Sequence, residues 1–237
     1  MVALGGIDPE TVLDGLRTVG YPEPAEDADS GAVWAGGPDL VAGTDPALTP
    51  QLGYVAVLAD EGLVVLSDAE RYASRTVAAI HGDEPALADD PAVTAVALRL
   101  GEPPVAVAHT GDRGCTVTSL ADASRPDQRL AARLAAAAGG LVTYGALGLG
   151  LAVDSSSSSL DIVMRFDGVA AATDQLAVRT TLTRGDAPAQ GGTWGERFVE
   201  ESASSDDGSV VLRLLAPERD AQLLSDLGTG GLLFASC

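Results

Sequence analysis

The sequence contains no lysine. Its positive charge rests on 14 arginines against 34 aspartates and glutamates, for a formal net charge of -20. That balance excludes a nucleic-acid partner, because affinity for DNA or RNA comes largely from basic side chains neutralising phosphates. It also disfavours an anionic membrane surface. The charge itself reads as solubility, through either a high-GC codon bias that replaces Lys with Arg or a salt-adapted proteome. Lysine chemistry is excluded with it: the serine run Ser155 to Ser159 cannot belong to a Ser-Lys catalytic site.

Aromatics are scarce as well, at 4% of residues, while 46% are hydrophobic. The core must therefore be aliphatic and rely on close approach of Ala, Val and Leu. Two histidines and two cysteines, with no CxxC, leave almost nothing from which to build a zinc site. No cofactor or metal is expected. Acidic pairs such as Asp89-Asp90, Glu200-Glu201 and Asp206-Asp207 lack calcium-loop spacing and read as solvated surface.

Long hydrophobic runs are missing too, with one imitation. Residues 134–153, LAAAAGGLVTYGALGLGLAV, carry no charge over a length near that of a membrane span. Gly139-Gly140 reads as a helix stop, so the segment is a helix end followed by a strand, and no transmembrane segment is expected. The opening MVALGGIDP has neither the basic nor the apolar region of a secretory signal. The expectation is then either a cytoplasmic protein or a chain from which a signal or anchor has been removed.

What is present is well punctuated. Asp8-Pro9-Glu10 opens a helix that Gly20 closes, with Val12, Leu13, Leu16 and Val19 as its apolar stripe. Residues 22–50 read as loop, with a short strand about Trp34. Residues 53–68 form a hairpin around Glu61-Gly62. Further helices are predicted from Asp68 to about Ile80, from Asp90-Pro91 to Gly101, from Pro126 through Ala137, and from Asp167 towards Leu182. Strands are predicted at 104–110, 115–120, 144–153 and 160–166, the first two joined by a GDRG turn. A second hairpin turns at residues 205–208. A helix from Pro217 to about Gly228 and a terminal strand GLLFASC complete the chain. The order describes an α+β protein of antiparallel sheets with helices packed on one face. Residues 1–237 read as a single domain, alternatively as two pseudo-repeated αββαββ halves, 8–120 and 124–237.

Cys115 begins a predicted strand and Cys237 ends one. An even cysteine count with one at the extreme end points to a Cys115–Cys237 disulfide that staples a terminal strand, and so to an oxidising compartment. The alternative is two buried thiols in the cytoplasm. HTGDRGC, residues 109–115, is the one stretch where His, Asp and Cys cluster. As a site it would pair Cys115 with His109 as base and Asp112 as orienter; a polar hairpin turn explains it more simply, and an oxidised Cys115 attacks nothing. GALGLGLAV, residues 145–153, has nucleotide-loop glycines in a strand-like alternation, which reads as close backbone packing or a bulge. Trp34 and Trp194 sit in glycine-rich stretches as loop anchors or, less simply, as contacts for a partner.

With the elements in order, YVAVLADEGLVVLSD, LADDPAVTAVALRLGEPPVAVAH and GALGLGLAVDSSSSSLDIVMRFD carry a resemblance. The chain resembles exported actinobacterial proteins of unknown function, lipid- or helix-anchored, with a repeated α+β ectodomain. The resemblance covers most of the chain at the level of pattern and brings no catalytic residues. It implies a secreted or lipoprotein-like setting, which the LLFASC finish would fit. The expected function is therefore a non-enzymatic, extracytoplasmic domain that binds a protein or cell-envelope component. Two alternatives remain open: a carrier of an apolar ligand in a helix–sheet cavity, and a cysteine-dependent hydrolase at Cys115. The oligomeric state is not legible.

Overall fold

Proline one or two residues past an acidic or hydroxyl cap starts three of the helices, and glycine in the left-handed region ends several, as the punctuation predicted. The computed structural model of the protein describes residues 2–5, 8–25, 30–36, 40, 50–153, 158–216 and 231–237. The chain divides into two compact units, Met1–Ala86 and Leu87–Cys237. The division falls before the 91–100 helix because that helix and the strand after it belong to the second sheet.

The first unit runs β1 (Val2–Gly5), α1 (Pro9–Val19), β2 (Ser30–Ala35), β3 (Tyr54–Leu58), β4 (Leu63–Ser67) and α2 (Glu70–His81). Its four-stranded sheet is antiparallel in the order β1-β4-β3-β2. β3 and β4 are the predicted hairpin, with Gly62 at φ +63° in the turn. Leu13 and Leu16 of α1 pack with Trp34, Val55, Val57 and Val64. Ala56, Leu58 and Val65 point the other way and pack with Val77 and Ile80 of α2. The helices expected on one face thus cover both. The cause lies in YVAVL and LVVLS, which are apolar at successive positions rather than alternating, and such strands need cover on each side.

The second unit contains α3 (Pro91–Leu100), β5 (Val105–Thr110), α4 (Gly111–Val117), α5 (Arg125–Ala138), β6 (Ala146–Val153), β7 (Ser158–Arg165), α6 (Val169–Leu182), α7 (Trp194–Arg197), β8 (Val199–Asp206) and β9 (Ser209–Ala216). Its five-stranded antiparallel sheet has the order β5-β6-β7-β9-β8. Asp90 caps α3 by accepting from the Ala92 and Val93 amides at 2.8 and 3.3 Å. Asp207 and Gly208, both with positive φ, make the two-residue turn between β8 and β9 that suits a right-twisted hairpin.

Leu147, Leu151, Leu160, Ile162, Met164, Leu212 and Leu214 line one face and form the main core with residues of α5 and α6. Ala146 and Val163 line the opposite face beneath Val93 and Val96 of α3. β6 reads ALGLGLAV because its two faces differ. A Cβ at Gly148 would collide with Val96 and Leu100 of α3, and one at Gly150 would crowd Pro103 at 3.0 Å. The glycines serve close packing of helix on strand, as their alternation implied.

Three expectations need correction or fall elsewhere. Residues 111–117, read as a turn leading into a strand, are helical. The terminal residues, read as a strand, form a 3-10 turn over Leu233–Ala235. The helix predicted from Pro217 to Gly228 lies outside the described residues, as do Ser155, Ser156 and Ser157. The two units do not coincide with the halves 8–120 and 124–237, and among the described residues their sheets differ in strand number and order.

Candidate functional site

Cys115 lies on α4, a helix made from residues with poor helical preference. Gly111 donates its amide to Gly145 O at 2.7 Å, and Gly114 lies against the Tyr144 ring, where a Cβ would come within 2.8 Å. Thr116 and Thr118 turn their hydroxyls back onto the carbonyls of Asp112 and Gly114, both at 2.8 Å. These bonds satisfy the β-branched side chains locally, and the two glycines let the helix approach Tyr144. α4 thereby presents Cys115 to the chain terminus. Cys115 and Cys237 form a disulfide, with Cα atoms 5.4 Å apart and a sequence separation of 122.

The disulfide closes over a buried segment. Leu232, Leu233, Phe234 and Ala235 belong to the main core, and Phe234 meets Trp194 edge-on at 5.0 Å between ring centroids. This segment joins no sheet, so its carbonyls need other donors. Arg179 on α6, fully buried, supplies several: Nη1 donates to Phe234 O at 3.1 Å and to Ser236 O. Nη2 donates to Val142 O at 2.9 Å, and Nε to Gln175 Oε1 at 3.1 Å. Tyr144 donates to Ala235 O at 2.9 Å, the Thr118 hydroxyl lies 3.1 Å from the same carbonyl, and Ser236 Oγ donates to Thr118 O at 2.5 Å.

The electrostatics of this centre are unusual. Among the described residues no carboxylate contacts Arg179; carbonyl and amide oxygens face it, with the rings of Tyr144 and Phe166 at 5.9 and 5.7 Å. Burial pulls the guanidinium down to about 10, with Tyr144 opposing that shift. At neutral pH it remains charged and acts as a donor fork for backbone carbonyls. Burial raises the Tyr144 phenol, against its contact with the Thr118 hydroxyl and the nearby Arg179, so it stays neutral and donates.

Other sequence candidates fall into place around this centre. His109 is on β5, and burial first, then Arg113, lowers its pKa. No hydrogen bond among the described residues joins His109, Asp112 and Cys115, and the Cys115 sulfur is committed to its disulfide. Trp34 on β2 and Trp194 at the start of α7 are both buried, so neither indole is offered at the surface. Asp206 and Asp207 meet Arg99 at 3.2 and 3.8 Å. No cluster of three or more potential metal ligands occurs among the described residues, and no helix among them is long and apolar enough to cross a membrane.

Two surface features flank the sheet. Asp161 receives a bidentate pair from Arg213, at 2.6 and 2.9 Å, on the floor of an open polar groove that Ser159 and Glu201 also line. Beside α3 lies a second, apolar groove lined by Leu87, Val93, Ala97, Leu98 and Ala108.

Sequence reasoning missed Arg179, Gln175, Tyr144, Thr118 and Ser236. A signal existed for the first two. Ala172, Gln175, Arg179 and Leu182 fall on one stripe of α6, so two polar residues occupy positions where periodicity puts core. Fold and centre together define a disulfide-closed α+β protein. No family model, curated protein or solved structure matches the chain.

Proposed function

We propose that the protein is an extracytoplasmic domain that works by binding a protein or cell-envelope component rather than by catalysis. The observation that carries this reading is the Cys115–Cys237 bond set over the segment that Arg179 holds. Such a bond persists in oxidising compartments and is removed in the cytosol. The clustered His, Asp and Cys of residues 109–115 favour binding over catalysis, since their sulfur is spent on structure. The partner is neither nucleic acid nor an anionic surface, given a charge of -20. Resemblance to exported, lipid- or helix-anchored actinobacterial proteins supports the same placement and a high-GC origin. The apolar-carrier reading is weaker, because α3 rests directly on Gly148 and Gly150 and leaves no helix–sheet interval there.

Fractionation of the native host tests the reading. Detection with an antibody is expected to place the protein in the envelope or medium. Recovery in the cytosol alone would contradict it.

A further inference from the structure

We propose that the Cys115–Cys237 bond is a reversible latch: a thiol opens it at Cys237 while residues 231–236 stay docked, and an oxidant closes it again without refolding. The inference goes beyond the binding reading above and does not depend on compartment. It rests on how the terminal segment is held. Leu232, Leu233, Phe234 and Ala235 are each at most 3% exposed. Phe234 O accepts from Arg179, Ala235 O accepts from Tyr144, and the Phe234 ring packs on Trp194. None of these contacts passes through sulfur.

Non-covalent contacts also fix each cysteine separately. Cys115 is set by α4, where Gly111 donates to Gly145 O and Gly114 lies against Tyr144. Cys237 is set by its neighbour Ser236, which is buried; its carbonyl accepts from Arg179 and its hydroxyl donates to Thr118 O. Thr118 follows Cys115 by one helical turn, so the Ser236–Thr118 bond bridges the same two stretches of chain as the disulfide. Without the sulfur–sulfur bond the two thiols therefore remain neighbours. Closing it is an intramolecular step between groups already in place.

Exposure decides where the latch opens. Cys237 is exposed, whereas Cys115 is half-buried and packs against the main core. Exchange begins when a thiolate reaches an accessible sulfur. The incoming thiolate bonds to Cys237 Sγ, the Sγ–Sγ bond breaks, and Cys115 leaves as a thiolate that takes a proton from water. With a dithiol, the second thiolate of the reagent then attacks its own bound sulfur and releases Cys237 together with a cyclic disulfide. Two electrons and two protons pass to the protein, and the dithiol is oxidised. In the open state Cys237 is a surface thiol that can carry a small thiol as a mixed disulfide.

Reduction of the full chain by dithiothreitol without denaturant tests this, read by alkylation with intact mass and by hydrogen exchange of the 231–237 peptide. Two thiols should become alkylatable. The Ala235 and Ser236 amides, bonded to Leu232 O and Leu233 O, should still exchange at least about a hundredfold more slowly than in an unstructured peptide. Glutathione disulfide should then restore the bond. Ser236→Ala, which removes the hydrogen bond beside the sulfurs, should cost the reduced form roughly tenfold of that protection. In Cys115→Ser, glutathione disulfide should load Cys237 with one glutathione; in Cys237→Ser it should react with Cys115 at least about tenfold more slowly. A bond that opens only in denaturant overturns the proposal. So does a reduced chain whose terminal amides exchange as unstructured peptide, or a Cys115 as reactive as Cys237.

Discussion

The two faces of the five-stranded sheet are closed by opposite means. On one, α3 sinks onto Gly148 and Gly150, and small size alone sets the fit. On the other, the chain terminus is drawn into the core by Arg179, Tyr144 and Thr118 and then tied by a disulfide. The first closure is apolar and depends on shape. The second is polar and covalent, and depends on every donor finding its carbonyl. The contrast explains where the molecule should be fragile: shape tolerates partial relaxation, whereas a buried polar network with one member missing leaves orphaned groups.

Arg179→Ala should show the largest effect. It strips donors from the carbonyls of Phe234, Ser236 and Val142 at once, for a loss of about 3–5 kcal/mol by denaturant unfolding. Arg179→Lys should recover little, because a single ammonium cannot span the fork. Gly148→Ala acts on the other face and should destabilise by about 1–3 kcal/mol, since Val96 and Leu100 stand where the new methyl must go. If the two substitutions instead had equal effects, the proposed difference between the closures would fail.

The smallest effect concerns pH. His109 has its folded-state pKa lowered, by burial and then by Arg113. An unfolded chain therefore takes up this proton more readily than the folded one. The contribution to stability is complete above the ordinary value of 6.5 and is lost as pH falls below it. His109→Gln should flatten that part of the stability profile, and a profile identical to wild type would remove the assignment.

The apolar closure was legible in the sequence and the polar one was not, for physical reasons. Asp-Pro openings and glycine stops marked α1 and α3, and Glu61-Gly62 and Asp207-Gly208 marked the hairpins, because turns and caps are local chemistry. The alternation of glycine and leucine in β6 likewise reports its neighbours directly. By contrast, residues 111–118 look like a turn and a strand, and only Tyr144 and the disulfide partner, far away in sequence, make them a helix. GLLFASC has the composition of a strand, yet its carbonyls are served by side chains. A short apolar run cannot tell these fates apart. The cysteine count pointed to the bond, while Arg179 was hidden in a helix whose stripe was read only for its apolar members.

The central claim is that a sulfur–sulfur bond seals the terminal segment over a buried arginine. Alkylation of the native, unreduced protein followed by intact-mass measurement tests it most directly. No thiol should be modified, and digestion should yield one peptide pair joined through Cys115 and Cys237. Two modified cysteines would contradict the account.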